Sequence, residues 1–284
     1  MRIGLAQINP YLGNKSKNLE KIAKYVAFAA TDSSCDLVVF PELTLTGYLC
    51  HDDIFSLAEP VSGEATNYVS KLAKDFGIDV VFGLPEKDGK VLWNTAVYLS
   101  GEDGSILGYY RKHFLPNYSV FNEMRYFRQG NSFPVFQTSH GRIGLCICYD
   151  VLYPEIGRIL SLKGAEIMIC LSNSPGRKGA IHLFESLLKV QSLANNLFTV
   201  FVNRVGIEES LIFWGGSQIF KPNGRLIAKA KYEVEDFVLA DIDINEVERY
   251  ARFLPFVRKD LDESIVENFV KAWKESQANP KINK

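Results

Sequence analysis

The chain has 284 residues, 47% of them hydrophobic, with 32 basic and 33 acidic side chains and a formal net charge of −1. That length can bury a sizeable core, and balanced charge without a basic patch or arginine run excludes the footprint of a nucleic-acid binder. Every apolar run is strand-length, so no transmembrane helix fits and no membrane partner is expected.

Residues 1–8 read as a strand and lack the apolar core and cleavage site of a signal peptide. The five cysteines (Cys35, Cys50, Cys146, Cys148 and Cys170) are odd in number, sparse and mostly set in apolar stretches. This pattern points to free thiols in a reducing cytoplasm rather than a disulfide framework. Neither a CxxC pair nor a close histidine pair occurs; His51, His113, His140 and His182 are scattered. No metal site is therefore legible.

In chain order, Ile3 and Leu5 alternate with small or polar neighbours until Pro10 and Gly13 break the strand. Leu19, Ile22, Ala23, Val26, Ala27 and Ala30 follow helical spacing. Residues 36–42 form a buried strand ended by Pro41, and 43–62 a long loop with Tyr48 and His51-Asp52-Asp53. A helix is predicted over 64–76, stopped by Gly77. Strands follow at 78–84 and 91–99, joined by an Asp88-Gly89 turn, and at 106–111. An aromatic-rich loop spans 113–133. Residues 134–137 and 142–148 pair as a hairpin through Gly141. A helix at 154–163 opens on Pro154 and Glu155. Further strands are expected at 166–171, 197–202, 217–220, 226–230 and 237–242, with helices at 180–193, from 244, and over 261–273. About a dozen strands interleaved with helices are too many for one small sheet. The predicted architecture is a four-layer α-β-β-α sandwich, two mixed sheets face to face with outer helices. No linker, repeat or low-complexity tract divides it, so one domain is expected over 1–275, with a polar tail at 276–284.

Three reactive side chains stand where strands give way to loops: Glu42, Lys112 and Cys148. Open α/β sheets bind ligands outside such strand ends. Cys148 also precedes the positive end of a helix, a position that lowers a thiol pKa. A thiolate attacks an acyl carbon and leaves a thioester. A carboxylate such as Glu42 serves as its base when burial raises the carboxyl pKa. The oxyanion then needs a cation or N–H donors, which Lys112 and the backbone N–H of Tyr149 supply. One such donor typically contributes about 3–4 kcal/mol to lowering the barrier. Cys146, on the same strand face as Cys148 by alternation, reads as an inert core thiol.

Phe40-Pro-Glu-Leu-Thr-Leu-Thr-Gly47, Tyr110-Arg-Lys-His-Phe-Leu-Pro116 and Cys146-Ile-Cys-Tyr-Asp-Val-Leu-Tyr-Pro-Glu155 resemble, in order and spacing, three blocks of the nitrilase superfamily of carbon–nitrogen hydrolases. The resemblance covers residues 1–245. It implies Glu42 as general base, Lys112 as the cation and Cys148 as nucleophile. It adds Glu123, in Phe121-Asn-Glu-Met-Arg-Tyr-Phe127, as an acid that positions substrate or aids proton transfer. Pro41–Tyr48, Leu115–Phe121 and Leu211–Ser217 look most similar to the glutaminase domains of glutamine-dependent NAD synthetases. Those domains imply Tyr118 and Ser174 as substrate-binding residues.

Two departures follow. Tyr149 stands where those glutaminases carry an acid that reads the substrate amine, and Tyr149 at this position is typical of stand-alone amidases. The ATP-binding SGGxDS segment of the synthetases is also missing from the sequence. The expected function is hydrolysis of a small amide through a Cys148 thioester, chemistry that needs neither a metal nor a cofactor. The alternatives are an N-carbamoyl amine hydrolase or nitrilase, a glutaminase subunit feeding a separate ammonia-using synthetase, and a non-catalytic interaction protein. The resemblance also implies a homo-oligomer assembled through the helices at 154–163 and 180–193. The apolar face of Ile265, Phe269 and Trp273 is expected to cross to a neighbour.

Overall fold

The computed structural model describes residues 1–176, 178–255 and 262–278. Its strands are β1 (Arg2–Gln7), β2 (Leu37–Val39), β3 (Asp79–Asp88), β4 (Val91–Leu99), β5 (Ile106–Arg111), β6 (Val135–Thr138), β7 (Gly141–Ile147), β8 (Ile167–Ser172), β9 (Phe198–Asn203), β10 (Val205–Glu208), β11 (Leu211–Trp214), β12 (Gln218–Phe220), β13 (Leu226–Lys229) and β14 (Asp236–Asp241). The helices are α1 (Lys15–Thr31), α2 (Ile54–Leu57), α3 (Glu64–Phe76), α4 (Pro154–Leu162), α5 (Lys178–Asn195), α6 (Asn245–Phe253) and α7 (Glu263–Ala278). Two six-stranded sheets form, ordered β14-β1-β2-β3-β4-β5 and β13-β12-β9-β8-β7-β6. Both are mixed: β1, β2 and β3 run parallel in the first, β7, β8 and β9 in the second, and the outer strands are antiparallel.

The two-residue period of a strand explains the layering. Leu37 and Val39 of β2 join Ile3, Leu5, Val81 and Tyr98 in the core shared with β7, β8 and β9. Val38 and Phe40 face the other way, toward Ile22, Val26 and Ala29 of α1 and Val69 and Ala73 of α3. On the second sheet, Gly144 of β7 lies under Leu160 of α4, so close that a Cβ would meet that side chain at 2.8 Å. The α-β-β-α sandwich follows: α1 and α3 on one side, α4 and α5 on the other. Helix α3 ends where expected, with Gly77 in the left-handed region at φ 63° returning its N–H to Ala73.

Three differences from the sequence reading stand out. The loop 43–62 contains a 3-10 turn at His51–Asp53 and the short α2. A hairpin of β10 and β11 lies in a stretch without a predicted strand; Ile207 and Ile212 point outward from it, so its pattern is not that of a half-buried strand. The last helix continues to Ala278, across the expected start of the polar tail; Leu261 and residues 279–284 lie outside the described residues. No helix among the described residues is long and apolar enough to cross a membrane.

Candidate active site

Strand β2 runs into Phe40-Pro41, and a turn with Leu43 at φ 44° then presents Glu42. Gly83 of β3 passes beneath that turn, where a Cβ would sit 2.5 Å from the Leu43 nitrogen and 3.0 Å from Glu42 backbone. Only glycine permits so close an approach of two backbones. The Glu42 carboxylate is sealed from solvent and fully engaged. Its Oε1 accepts from Lys112 Nζ at 2.7 Å and from Asn94 Nδ2 at 2.7 Å, and its Oε2 accepts the backbone N–H of Asn173 at 2.7 Å.

Lys112 follows β5. Its backbone is pinned on both sides, N–H to Asn94 at 2.8 Å and carbonyl to the Gly130 N–H at 2.8 Å. Its ammonium also donates to Glu123 Oε1 at 2.8 Å, so two buried carboxylates share one buried cation. Burial pulls the lysine pKa down, but Glu123 and Glu42 more than offset this and hold it well above the ordinary lysine range. Lys112 therefore stays charged.

Glu123 opens the 3-10 turn Glu123–Arg125. Its Oε1 also accepts from Tyr48 Oη at 2.8 Å. Burial pushes its carboxyl up to about 7, against the pull of Lys112. Tyr48 is fixed in turn by Glu208, whose carboxylate accepts the N–H groups of Tyr48 and Leu49 at 3.1 and 2.8 Å and pairs with the buried Arg204. The loops 43–62 and 113–133 enclose a cavity of about 140 Å³ beside Glu123, walled by Tyr48, Leu49, Ile54, Val120 and Phe127.

Strand β7 ends at Ile147, and Cys148 takes a left-handed φ of 47°, opening the 3-10 turn Cys148–Leu152. The alternation that would set it on the Cys146 face ends there. Non-glycine residues in this region are uncommon and store strain, a recurrent feature of functional sites. Asp150 holds the turn: Oδ2 accepts the Ile147 N–H at 3.0 Å and Tyr110 Oη at 2.9 Å, while Oδ1 accepts the Phe114 N–H at 2.8 Å. The expected low thiol pKa is corrected. Burial and the Glu42 carboxylate push the Cys148 thiol well above the ordinary range, with Lys112 opposing them.

The remaining predicted residues are Tyr149, Tyr118 and Ser174. Tyr149 is half-buried, its ring 5.7 Å from Tyr118 and 5.5 Å from Tyr153. Tyr118 is half-exposed and lies 5.3 Å from Phe121; burial and the neighbouring Tyr149 push its hydroxyl up to about 12. Ser174 is buried, its Oγ accepting the Trp214 indole N–H at 3.2 Å and its backbone clasped by Asn203. On the surface, His51 Nε2 lies 2.6 Å from Glu209 Oε1 and Asp52 pairs with Arg125. Among the described residues no group of three His, Cys, Asp or Glu is placed to hold a metal. The sequence reading missed Asn94, Asn173 and Asp150 as site residues. Asp150 stood inside the cysteine block, and Asn173 two residues past a predicted strand end.

The carbon–nitrogen hydrolase family model matches residues 2–252. Curated relatives carry the names nitrilase, amidase and glutamine-dependent NAD(+) synthetase. An (R)-stereoselective amidase of a Pseudomonas species is 32% identical over 86% of this chain and 86% of its own. The glutamine-dependent NAD(+) synthetase of Aquifex aeolicus is 34% identical over 88% of this chain, which spans only 43% of that longer protein. The crystal structure of a carbon–nitrogen hydrolase from Helicobacter pylori G27 superposes with a TM-score of 0.84 at 31% identity, covering 91% of this chain and 94% of that one. Two mixed sheets, a family model spanning nearly the whole described chain and a close structural relative agree: the chain belongs to the carbon–nitrogen hydrolase family.

Proposed function

We propose that the protein hydrolyses the C–N bond of a small amide through a thioester on Cys148. Glu42 takes the thiol proton, and the sulfur attacks the carbonyl carbon. The carbonyl electron pair moves to oxygen, where the Lys112 ammonium and the Tyr149 N–H hold it. Collapse reforms the carbonyl and breaks the C–N bond, and the departing nitrogen takes the proton from Glu42. Water then enters, gives a proton to Glu42 and attacks the thioester carbon; collapse breaks the C–S bond and frees the acid, and the sulfur takes the proton back from Glu42, restoring thiol and carboxylate. Glu123 and Tyr48 keep Lys112 aimed during both halves, and Tyr118, Tyr149 and Ser174 shape the approach for the acyl group.

One observation carries this reading. Glu42 and Lys112 lie 2.7 Å apart in a site closed to solvent, and after burial they are the two charges that act most on the Cys148 thiol. A buried thiol whose pKa is pushed up is a better nucleophile with a base beside it, and Glu42 is the carboxylate that acts on it most. Mass spectrometry during slow turnover should find an acyl group on the peptide carrying Cys148. Full activity in Cys148→Ala with an unmodified Cys148 peptide in the parent protein would reject the reading. Ammonia release from glutamine, aliphatic amides, carbamoyl amines and nitriles identifies the substrate, and preference for glutamine would favour a glutaminase feeding a separate synthetase.

We also propose a homo-oligomer. Leu162 of α4, Leu183, Val190 and Leu193 of α5, and Ile265, Phe269 and Trp273 of α7 are exposed apolar side chains on three helices, the kind of surface that marks a protein interface when it is contiguous. A second copy of the chain covers them. Light scattering giving a monomer mass at micromolar concentration would reject this.

A further inference from the structure

Buried polar atoms in folded proteins are almost all hydrogen-bonded, so those without a partner mark where water or a ligand binds. Among the described residues ten buried side-chain polar atoms have no partner. Four of these belong to residues bonded directly to Glu42 or Lys112: Asn94 Oδ1, Glu123 Oε2, and both Oδ1 and Nδ2 of Asn173. Asn173 is the extreme case. It is almost fully buried, and neither end of its carboxamide is satisfied. Its backbone N–H meanwhile holds Glu42 Oε2 at 2.7 Å. The register pairs Ile147 with Leu171, so Asn173 lies as far past that pair on its chain as Tyr149 does on the neighbouring one. The residue whose backbone holds the base, and whose own buried carboxamide is unsatisfied, thus follows the strand paired with the one that leads into the nucleophile's turn.

We propose that Asn173 is a substrate-contacting residue whose Oδ1 accepts an N–H of the scissile amide nitrogen. The site is thereby selective for primary carboxamides over esters and nitriles of the same acyl group. This inference rests on the amide-hydrolase reading above. A primary carboxamide brings two N–H donors; an ester or nitrile brings none and leaves the buried acceptor unpaired. As the C–N bond breaks, the nitrogen takes the Glu42 proton and its N–H groups become more polarised. The bond to Asn173 therefore strengthens toward the transition state and acts on kcat more than on KM.

The test compares kcat/KM for a primary amide and the methyl ester of the same acid, in the parent protein and in Asn173→Leu. The amide-to-ester ratio should fall about 10- to 100-fold in the variant, the usual effect of removing one buried hydrogen-bond partner. A merely structural role lowers both substrates together and leaves the ratio unchanged. A ratio within about twofold of the parent's overturns the inference, whether both rates fall or neither does. If thermal melts show that Asn173→Leu does not fold, Asn173→Ala gives the same readout. Amide turnover with an unmoved ratio removes this inference alone; a parent protein that releases no ammonia from any amide removes the hydrolase reading as well.

Discussion

Asp150 Oδ1 accepts the backbone N–H of Phe114 at 2.8 Å, and this bond joins the two sheets at the site. Phe114 lies two residues past Lys112 on the exit from β5, and Asp150 lies two residues past Cys148 on the exit from β7. The carboxylate therefore fixes the distance between cation and nucleophile while its other oxygen holds the Ile147 N–H.

Asp150→Asn places an amide N–H against one of these N–H donors. It should destabilise the protein by about 1–3 kcal/mol and lower kcat. Burial pushes the Asp150 carboxyl up to about 6. Its folded pKa lies above the unfolded one, so between about pH 4 and pH 6 the folded protein holds a proton that the unfolded chain has lost. This group's contribution to stability falls as pH rises through that window. Thermal melts across pH should show the fall in the parent protein and a shallower one in Asp150→Asn.

Opposite shifts are expected at Cys148 from its two charged neighbours. The Glu42 carboxylate raises the thiol pKa and the Lys112 ammonium lowers it. In Lys112→Met the midpoint of Cys148 alkylation by iodoacetamide, followed by peptide mass spectrometry against pH, should move up. In Glu42→Gln it should move down, yet amide hydrolysis should fall by about 10²–10⁴-fold because the base is gone. A more readily ionised thiol in a slower enzyme would separate proton transfer from simple nucleophile activation.

Tyr48→Phe removes the hydroxyl that donates to Glu123 Oε1. That bond favours the ionised carboxylate, so its loss should raise the Glu123 pKa above its value of about 7. A hydrogen bond to a charged group contributes about 1.5–3 kcal/mol. kcat/KM at neutral pH should fall about 10-fold or more, with less loss at higher pH. A pH–rate profile checks both.

Gly83→Ala should injure activity more than folding. The added Cβ meets the Leu43 nitrogen, and the Glu42 turn must move to admit it. Overpacking of this kind costs about 1–3 kcal/mol. Misplacing a reacting group by about 1 Å costs on the order of 100-fold in rate. Parallel measurement of kcat and melting temperature tests the separation.

Local chemistry explains what the sequence disclosed. Helix α3 was readable from Glu64 to Gly77 because its apolar spacing and its left-handed stop are both local. Glu42, Lys112 and Cys148 were readable because each reactive type stands at a strand end. Asn173 was not, because its place beside Glu42 depends on a bond between residues 131 positions apart. Tyr48 and Glu208 are likewise joined across 160 positions. The thiol pKa was misread because helix proximity is visible in the sequence, whereas complete burial beside a carboxylate is a property of the packed layers.

The order of synthesis meets an obstacle in this topology. Strand β1 forms ladder bonds with β14, and the paired residues Arg2 and Asp241 lie 239 positions apart. While a ribosome makes the chain at about 5–20 residues per second, that edge of β1 waits roughly 10–50 s for its partner. An unpaired apolar edge is a template for other strands. The sheet that carries Glu42 and Lys112 is therefore the vulnerable half of a nascent molecule, and crowded overexpression should load chaperones at this stage of its birth.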